Sequence, residues 1–258
     1  MTLRESTWIK CPHPLPNASM RIICVPYAGG GASVFRHWHK AISDDVEICS
    51  VQLPGRENRF LEPAIDRIQP LIDELFWAIL PLINDKPYAL FGHSLGALIC
   101  FELTRKVRSK GLAHPSHLFV SAREAPQLTP TRPPIHNLPE DKFIEAIESY
   151  GGTPESVLKS PELRPILLTL LRADLAINET YDYTHDLPFD IPISAFAGLQ
   201  DPLIKLDSVD SWKAQTSGAF QLRIVQGNHF FMRDAYEKML AYMKVDLALG
   251  AGRSLEVV

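Results

Sequence analysis

A serine that could act as a nucleophile lies in the segment Gly92-His-Ser-Leu-Gly96. An apolar run at residues 88–91 precedes this segment, and an apolar pattern with helical spacing follows it. This context predicts a sharp turn from a strand into a helix, which would expose the Ser94 hydroxyl above the edge of a sheet. Both glycines fit such a turn because larger side chains would collide with the neighbouring backbone. The alternative is a glycine-rich turn with a solvated serine, but the strand before it and the helix after it favour a nucleophile.

The Ser94 hydroxyl needs a base, because a serine at its ordinary pKa is a poor nucleophile. The carboxyl ends of parallel strands share one edge of a sheet, so a base and its orienting carboxylate are expected shortly after strands. His229 lies four residues beyond a predicted strand at 220–225, and Asp201 lies four residues beyond one at 193–197. Ser94, Asp201 and His229 therefore form a predicted catalytic triad, in which His229 transfers the proton and Asp201 orients the imidazole.

Other acidic and histidine residues are weaker candidates for these roles. Glu124 follows the strand predicted at 117–121 and is the alternative acid, but Asp201 is favoured because its Gly-x-x-Asp-Pro turn fixes the side chain at a strand end. His93 is expected to point away from the serine. The remaining candidates fall on surfaces or in loops, or come too late after their strand: His37, His39, His114, His117, His136, His185, Asp207 and Asp210.

Two backbone N–H groups are needed to stabilise the oxyanion that forms when a serine attacks an acyl group. Leu95, directly after the nucleophile and at the start of a helix, is predicted to supply one of them. The other is expected from the glycine-rich loop at 27–33, where Ala28 and Gly29 are both candidates and Ala28 is favoured. This loop lacks the spacing and the lysine of a phosphate-binding loop, and a merely flexible turn is the alternative.

The composition is that of a soluble globular protein, with 258 residues, 46% hydrophobic and 22% charged. The net charge of -4 argues against nucleic acid as a partner, because phosphate binding needs clustered lysine and arginine. No apolar run reaches the length of a membrane span, and the first residues lack the apolar core of an export signal. The four cysteines lack metal-binding spacing. We therefore expect a cytoplasmic protein with no metal, no cofactor and no membrane or nucleic-acid partner.

Strands and helices alternate through the first 122 residues, which predicts a mostly parallel central sheet flanked by helices, with right-handed crossovers. The strands are expected at 20–26, 46–53, 88–91 and 117–121, and the helices at 34–42, 65–83 and 95–110. The pattern resumes with strands at 193–197 and 220–225, a short helix at 209–215 and a closing helix at 231–249. Residues 1–19 are expected to be irregular because of their prolines. The order Ser94, Asp201, His229 along such a sheet is that of the α/β-hydrolase fold.

Residues 123–190 interrupt the alternation and show no strand pattern. Helices are expected there near 140–150, 154–159 and 161–181, the last of them apolar around much of its circumference. An insertion at this point lies above the carboxyl edge of the sheet, where a helical lid would sit, and a packing subdomain is the alternative. The predicted organisation is a core of 1–122 and 191–249, a helical lid insertion of 123–190, and a disordered tail of 250–258.

Six segments with distinctive motifs follow one another in a fixed order, at residues 26–38, 52–57, 91–97, 173–181, 198–202 and 227–230. This ordered set resembles the type II (editing) thioesterases of polyketide and nonribosomal peptide synthesis, and the resemblance extends from Trp8 to the last helix. Ala122 departs from the pattern, because the family usually has glycine there. We expect Ala122 to narrow the floor of the pocket and to leave the triad untouched.

The resemblance implies an enzyme that hydrolyses acyl or aminoacyl thioesters on the phosphopantetheine arm of acyl or peptidyl carrier proteins, and small acyl thioesters as well. We also expect the protein to be a monomer. Such carrier proteins are acidic around the attachment serine, so a basic rim is expected. Its candidates are Arg36, Arg56, Arg59, Arg123 and Arg132. The alternatives are a medium-chain thioesterase of fatty acid synthesis, a free-ester hydrolase or lipase, and a hydrolase fold reused as a binding module. An intact triad argues against the last of these.

Overall fold

A seven-stranded sheet forms the centre of the computed structural model, which describes residues 6–250. The strands are β1 (Ile9–Lys10), β2 (Met20–Val25), β3 (Val46–Val51), β4 (Tyr88–His93), β5 (Leu118–Ser121), β6 (Ile193–Gly198) and β7 (Phe220–Val225). Their order in the sheet is β1-β3-β2-β4-β5-β6-β7. The first strand pairs antiparallel with the third, and the other neighbours pair in parallel. The mostly parallel sheet that the sequence predicts is thus confirmed.

Helices cover both faces of this sheet. The apolar side chains of α1 (Ile68–Ile83) and α2 (Leu95–Ser109) pack with one set of strand residues, which includes Leu90. Those of the last helix, α7 (Tyr236–Gly250), pack with the opposite set, which includes Phe91. Neighbouring residues of β4 therefore belong to different clusters, because successive side chains of a strand point to opposite faces. In the described part of the chain, no helix combines the length and apolar character needed to cross a membrane.

Three helices lie between β5 and β6, in the predicted insertion. They are α3 (Glu140–Tyr150), α4 (Glu155–Leu158) and α5 (Leu163–Glu179). The insertion has a small apolar cluster of its own, formed by Ile135, Phe143, Ile147, Leu158, Leu168 and Leu171. Ile177, near the end of α5, instead packs in the main core. The insertion is thus held to the sheet at one end and covers its own apolar surface at the other. Its role as a lid stays a prediction.

The helix predicted at 34–42 is wrong. Two short 3-10 helices, Ala32–Phe35 and Trp38–Lys40, replace it. The rings of Phe35 and Trp38 are both buried and contact each other and Phe91 edge to face. Phe35 ends the first of these helices and Trp38 begins the second, so the turn between them places both rings against Phe91 of β4.

Smaller differences concern the ends of elements. Residues 1–19 are not wholly irregular, because β1 forms an edge of the sheet and pairs with β3 through Ile9 and Val51. The short helix predicted at 209–215 begins earlier, as α6 (Leu206–Asp210) followed by a 3-10 helix at Ser211–Gln215. The closing helix is divided into a 3-10 turn at Phe231–Arg233 and α7. The predicted disordered tail lies outside the described residues, apart from the last residue of α7.

The turn from β4 into α2 requires two very close backbone approaches. A Cβ atom built on Gly92 would lie 2.1 Å from the carbonyl oxygen of Gly96. A Cβ atom built on Gly96 would lie 2.1 Å from the carbonyl oxygen of Val25, at the end of β2. Real Cβ atoms do not approach backbone oxygens this closely, so only glycine fits at both positions. The packing thus requires small residues at Gly92 and Gly96, as the sequence predicts.

We predict that Gly96→Ala lowers the free energy of unfolding by about 2 kcal/mol or more, because α2 must move away from β2. Gly111→Ala is the control, since Gly111 has no atom within 4 Å of the added Cβ, although its φ of 64° is positive and that of Gly96 is not. Its cost is backbone strain alone, about 1 kcal/mol. Urea unfolding of both variants measures the difference, and equal costs would contradict the packing argument.

Candidate active site

Ser94 lies at the turn between β4 and α2 with an unusual backbone conformation, φ 53° and ψ -113°. A positive φ is uncommon for a residue with a side chain and stores strain. Two hydrogen bonds hold it in place. Its N–H donates to the carbonyl of Ser121 at 2.7 Å, and its carbonyl accepts the N–H of Ala97 at 3.0 Å. The Ser94 side chain therefore stands at the carboxyl edge of the sheet, between the end of β4 and the start of α2.

The structure brings Ser94, His229 and Asp201 together, although they are far apart in the sequence. His229 Nε2 lies 3.0 Å from Ser94 Oγ, and His229 Nδ1 lies 2.8 Å from Asp201 Oδ2. The other carboxylate oxygen of Asp201 accepts the N–H groups of Leu203, at 2.7 Å, and Ile204, at 3.2 Å. The carboxylate is thus fixed by its own turn, with a side chain only 2% exposed. Both loops follow the ends of parallel strands, β6 and β7, as the sequence predicts.

These contacts select one tautomer of His229. A carboxylate only accepts hydrogen bonds, so Nδ1 carries the proton that is donated to Asp201. Nε2 is then free to accept the hydroxyl proton of Ser94. This is the arrangement that a serine needs to become a nucleophile with its proton passed to an imidazole. Glu124, the alternative acid, lines the cavity above the site, and the oxygen at His229 Nδ1 belongs to Asp201.

His93 holds the loop that carries His229 in place. The sequence analysis did not predict this role. Its Nε2 lies 2.8 Å from the carbonyl oxygen of His229, and its Nδ1 lies 2.9 Å from Ser121 Oγ. Burial, together with the nearby His229 and Arg233, lowers the pKa of His93 to about 3. The ring is therefore neutral, with Nε2–H donating to the carbonyl and Nδ1 accepting from the hydroxyl. The only local signal was a histidine at a buried strand position, because its partner lies 136 residues away.

The two predicted donors to an oxyanion lie beside Ser94. Leu95 is the first residue of α2, so its N–H has no acceptor within the helix. In the glycine-rich loop, the N–H of Gly29 donates to Asp174 Oδ2 at 2.7 Å and is already engaged. This favours Ala28 over Gly29 as the second donor, and Ala28 lines the same cavity as Ser94 and His229.

A cavity of about 810 Å³ lies above Ser94 and His229. Helices of the insertion supply an apolar part of its wall, with Ile147, Val157, Leu167, Leu171 and Leu175. Polar side chains line another part, including Arg123, Asn178, Tyr181 and Tyr183. A volume of this size accommodates a drug-sized organic molecule. The serine, the imidazole and the cavity thus form one site.

The expectation that Ala122 narrows the floor of the pocket is wrong. Ala122 is buried in the apolar cluster beside α7 and is not among the residues that line the cavity. Its backbone has a φ of 50°, in the left-handed region that favours glycine. The departure from glycine therefore strains the backbone after β5 and adds no side chain to the cavity wall.

The expected basic rim is wrong for two of its five arginines. Arg56 is buried and pairs with Asp174, and Arg59 is buried and pairs with Glu62. Arg59 also donates to the carbonyl of Gln52. Both guanidinium groups bind carbonyls and carboxylates inside the protein. The pattern of charges in the sequence does not show these partners.

The other three arginines differ in exposure. Arg36 and Arg132 are exposed. Arg123 lines the cavity, and burial lowers its pKa to about 10. Within residues 6–250, no group of three or more histidine, cysteine, aspartate or glutamate side chains is placed to hold a metal ion.

Residues 20–244 match the thioesterase domain family. The gramicidin S biosynthesis protein GrsT of Aneurinibacillus migulanus is 43% identical over 232 residues, 90% of each chain. The medium-chain S-acyl fatty acid synthase thioesterase of Rattus norvegicus is 32% identical, with 89% of this chain and 88% of that protein covered. Among solved structures, the RedJ thioesterase of the prodiginine pathway in Streptomyces coelicolor is similar with a TM-score of 0.83 and 36% identity, covering 90% of this chain and 92% of that one. These likenesses confirm the α/β-hydrolase fold and the predicted family resemblance.

We predict that His93 makes the protein sensitive to acid. Its folded-state pKa of about 3 lies below the ordinary value of about 6.5, so the unfolded chain binds the proton first. Stability is therefore full above about pH 6.5 and falls as the pH is lowered towards 3, by up to about 1.4 kcal/mol per pH unit.

Urea unfolding at a series of pH values tests this dependence. His93→Gln keeps a donor for the His229 carbonyl but has no titrating group, so its slope between pH 6 and pH 4 should be shallower. His117→Gln allows the same slope to be compared for a second buried histidine. Burial lowers the pKa of His117 to about 4, and His117 directly precedes β5, whereas His93 contacts Ser121 at the end of that strand. An unchanged slope in His93→Gln would show that His93 does not titrate on unfolding.

Proposed function

The chain belongs to the thioesterase domain family, and from this we propose that it hydrolyses acyl or aminoacyl thioesters on the phosphopantetheine arm of carrier proteins in nonribosomal peptide or polyketide synthesis. One observation carries the proposal: the hydrogen-bonded series Ser94, His229, Asp201, of which Ser94 and His229 line a cavity of about 810 Å³. The relatives GrsT and RedJ, which belong to gramicidin S and prodiginine biosynthesis, support the class of pathway.

In the first half of the reaction, Ser94 Oγ attacks the thioester carbonyl while His229 Nε2 takes the hydroxyl proton. Asp201 keeps the imidazole in place and stabilises its positive charge. The N–H groups of Ala28 and Leu95 stabilise the oxyanion of the tetrahedral intermediate, each contributing a factor of about 10² to 10³ in rate. The carbon–sulfur bond then breaks, and the thiol of the phosphopantetheine arm leaves with the proton from His229.

In the second half, a water molecule attacks the acyl group on Ser94. His229 Nε2 takes a proton from this water, and the same two N–H groups stabilise the second oxyanion. Collapse of the intermediate breaks the bond to Ser94 Oγ, which recovers its proton from His229. The products are a free acid and the unmodified enzyme, so the reaction needs no metal and no cofactor.

We assign residues 123–190 as a helical lid over the core of 1–122 and 191–249. The support is that helices α3 to α5 supply the apolar part of the cavity wall. The acyl group would lie against this wall, and the thin phosphopantetheine arm would reach Ser94 from the cavity mouth. The proposal further includes a monomer that acts in the cytoplasm on carrier proteins and small acyl thioesters, without nucleic-acid or membrane partners.

A medium-chain thioesterase of fatty acid synthesis is a second candidate function. The rat medium-chain enzyme is 32% identical to this chain, and GrsT is 43% identical. The greater similarity to the peptide-pathway protein favours the first candidate. Acyl-chain length is the property that separates the two functions.

We predict that Ser94→Ala lowers kcat for a thioester by at least about 10⁴-fold, because the nucleophile is lost. Its unfolding transition should match that of the wild type. Ser109→Ala, at the exposed end of α2, is the control and should keep full activity. Thiol release measures turnover, and substantial activity in Ser94→Ala would place the nucleophile elsewhere.

We also predict a substrate order: acyl groups on a carrier protein, then the same acyl groups as N-acetylcysteamine thioesters, then matched oxygen esters. Binding of the arm and the carrier is expected to raise kcat/KM by about tenfold or more at the first step. Mass spectrometry of a carrier protein loaded with short acyl, aminoacyl and medium-chain acyl groups measures the outcome. Turnover confined to medium-chain acyl groups would favour the second function, and a preference for oxygen esters would contradict both.

A further inference from the structure

A buried carboxylate of the insertion holds the glycine-rich loop beside Ser94. Asp174 lies in α5 and is fully buried. Its Oδ2 accepts the N–H of Gly29 at 2.7 Å and Nη1 of Arg56 at 2.8 Å, and its Oδ1 accepts Nη2 of Arg56 at 2.8 Å. Asp174 and Gly29 are 145 residues apart in the sequence. One carboxylate therefore joins the insertion helix to the loop that supplies a predicted oxyanion donor.

Arg56 completes the attachment from the other side. Its Nη1 also lies 3.2 Å from the carbonyl oxygen of Gly30, and its Nε lies 3.1 Å from the carbonyl oxygen of Pro54. The loop is thus held at the N–H of Gly29 and at the carbonyl of Gly30. Leu171, one turn before Asp174, covers the same place, since a Cβ built on Gly29 would lie 2.8 Å from its side chain.

The positions of Gly29 and Gly30 decide the orientation of the Ala28 N–H. This N–H lies in the rigid peptide plane between Tyr27 and Ala28, and the carbonyl oxygen of that plane accepts the N–H of Gly30 at 2.9 Å. A shift of the turn that Asp174 and Arg56 hold would therefore tilt this plane and turn the N–H of Ala28 away from the oxyanion position. A donor must lie within about 3 Å of the oxyanion to stabilise it, and displacement by about 1 Å can cost 10²-fold in rate.

We propose that Asp174 and Arg56 are positioning residues for the oxyanion hole, and that they make its geometry depend on the seating of α5. This inference rests on the proposed function of Ser94 and the Ala28 N–H. The competing reading is that the pair serves only to stabilise the fold. Both readings expect lost stability when the pair is broken, so the test must separate catalysis from folding.

A second buried pair provides a matched control. Arg21 and Glu47 lie 2.8 Å apart with side chains 2% exposed, and Glu47 also accepts a backbone N–H, that of Leu15, at 3.0 Å. They sit near the starts of β2 and β3, at the edge of the sheet opposite to Ser94. Glu47→Gln and Asp174→Asn make the same chemical change. In each, the amide NH₂ must face a guanidinium or a backbone N–H, which are donors.

The experiment measures kcat and KM for an acyl thioester per active site, counted by end-point titration with a fluorophosphonate. We expect Asp174→Asn to lower kcat by about 10- to 100-fold with KM changed little. The affinity for an alkyl boronic acid, whose adduct with Ser94 is tetrahedral, should fall by the same factor. The affinity for a thioether analogue of the substrate should stay unchanged. Glu47→Gln should keep the wild-type values per site.

Arg56→Lys serves as the second variant if Asp174→Asn folds poorly, because it keeps a positive charge beside the carboxylate. We expect a smaller fall in kcat with the same split between boronic acid and thioether. The inference is overturned if both Asp174→Asn and Glu47→Gln keep wild-type kcat per site, or if both ligands weaken equally in Asp174→Asn. If Ser94→Ala stays active, the proposed function fails instead, and the two failures are distinguishable.

Discussion

The site depends on one close backbone contact, between α2 and the end of β2. Gly96 lies so near the carbonyl oxygens of Val25 and Pro26 that no side chain fits between them. The loop that begins directly after β2 therefore starts beside the first turn of α2. Ala28 and Leu95 come together for this reason, although one follows β2 and the other follows β4. The same contact holds Ser94 in its strained conformation, because the helix cannot retreat to relieve the strain.

Hydrogen bonds set the position of the imidazole that faces Ser94. Asp201 fixes one ring nitrogen of His229, and the neutral ring of His93 fixes its backbone carbonyl. His93 is itself held by Ser121, at the end of β5. The base is thus tied to three neighbouring strands, β4, β5 and β6. Since buried polar groups are costly when left unpaired, each of these contacts restricts the loop to one arrangement.

The sequence could predict those parts of the molecule that local patterns determine. The strand at Phe220–Val225 and the turn around Ser94 both follow from apolar spacing and glycine placement within a few residues. The order of strands and loops then led to Asp201 and His229, because parallel strands end at one edge. The prediction of a helix at 34–42 was wrong because the local backbone follows the contact of Phe35 and Trp38 with Phe91 of β4, which is distant in the sequence. Arg56 failed for the same reason, since its partner in α5 lies 118 residues away and turns a candidate surface charge into a buried one.

Helix α5 connects substrate contact to the geometry of the reaction centre. Leu167, Leu171 and Leu175 line the cavity, and Asp174, on the same helix, reaches the loop that holds Ala28. An acyl group that shifts this helix would also shift the proposed oxyanion donor. The consequence falls on the transition state more than on the bound substrate, because the oxyanion exists only during reaction. On this argument, the enzyme would distinguish acyl groups mainly through kcat, and a wide cavity could admit many thioesters while only those that leave α5 seated are hydrolysed fast.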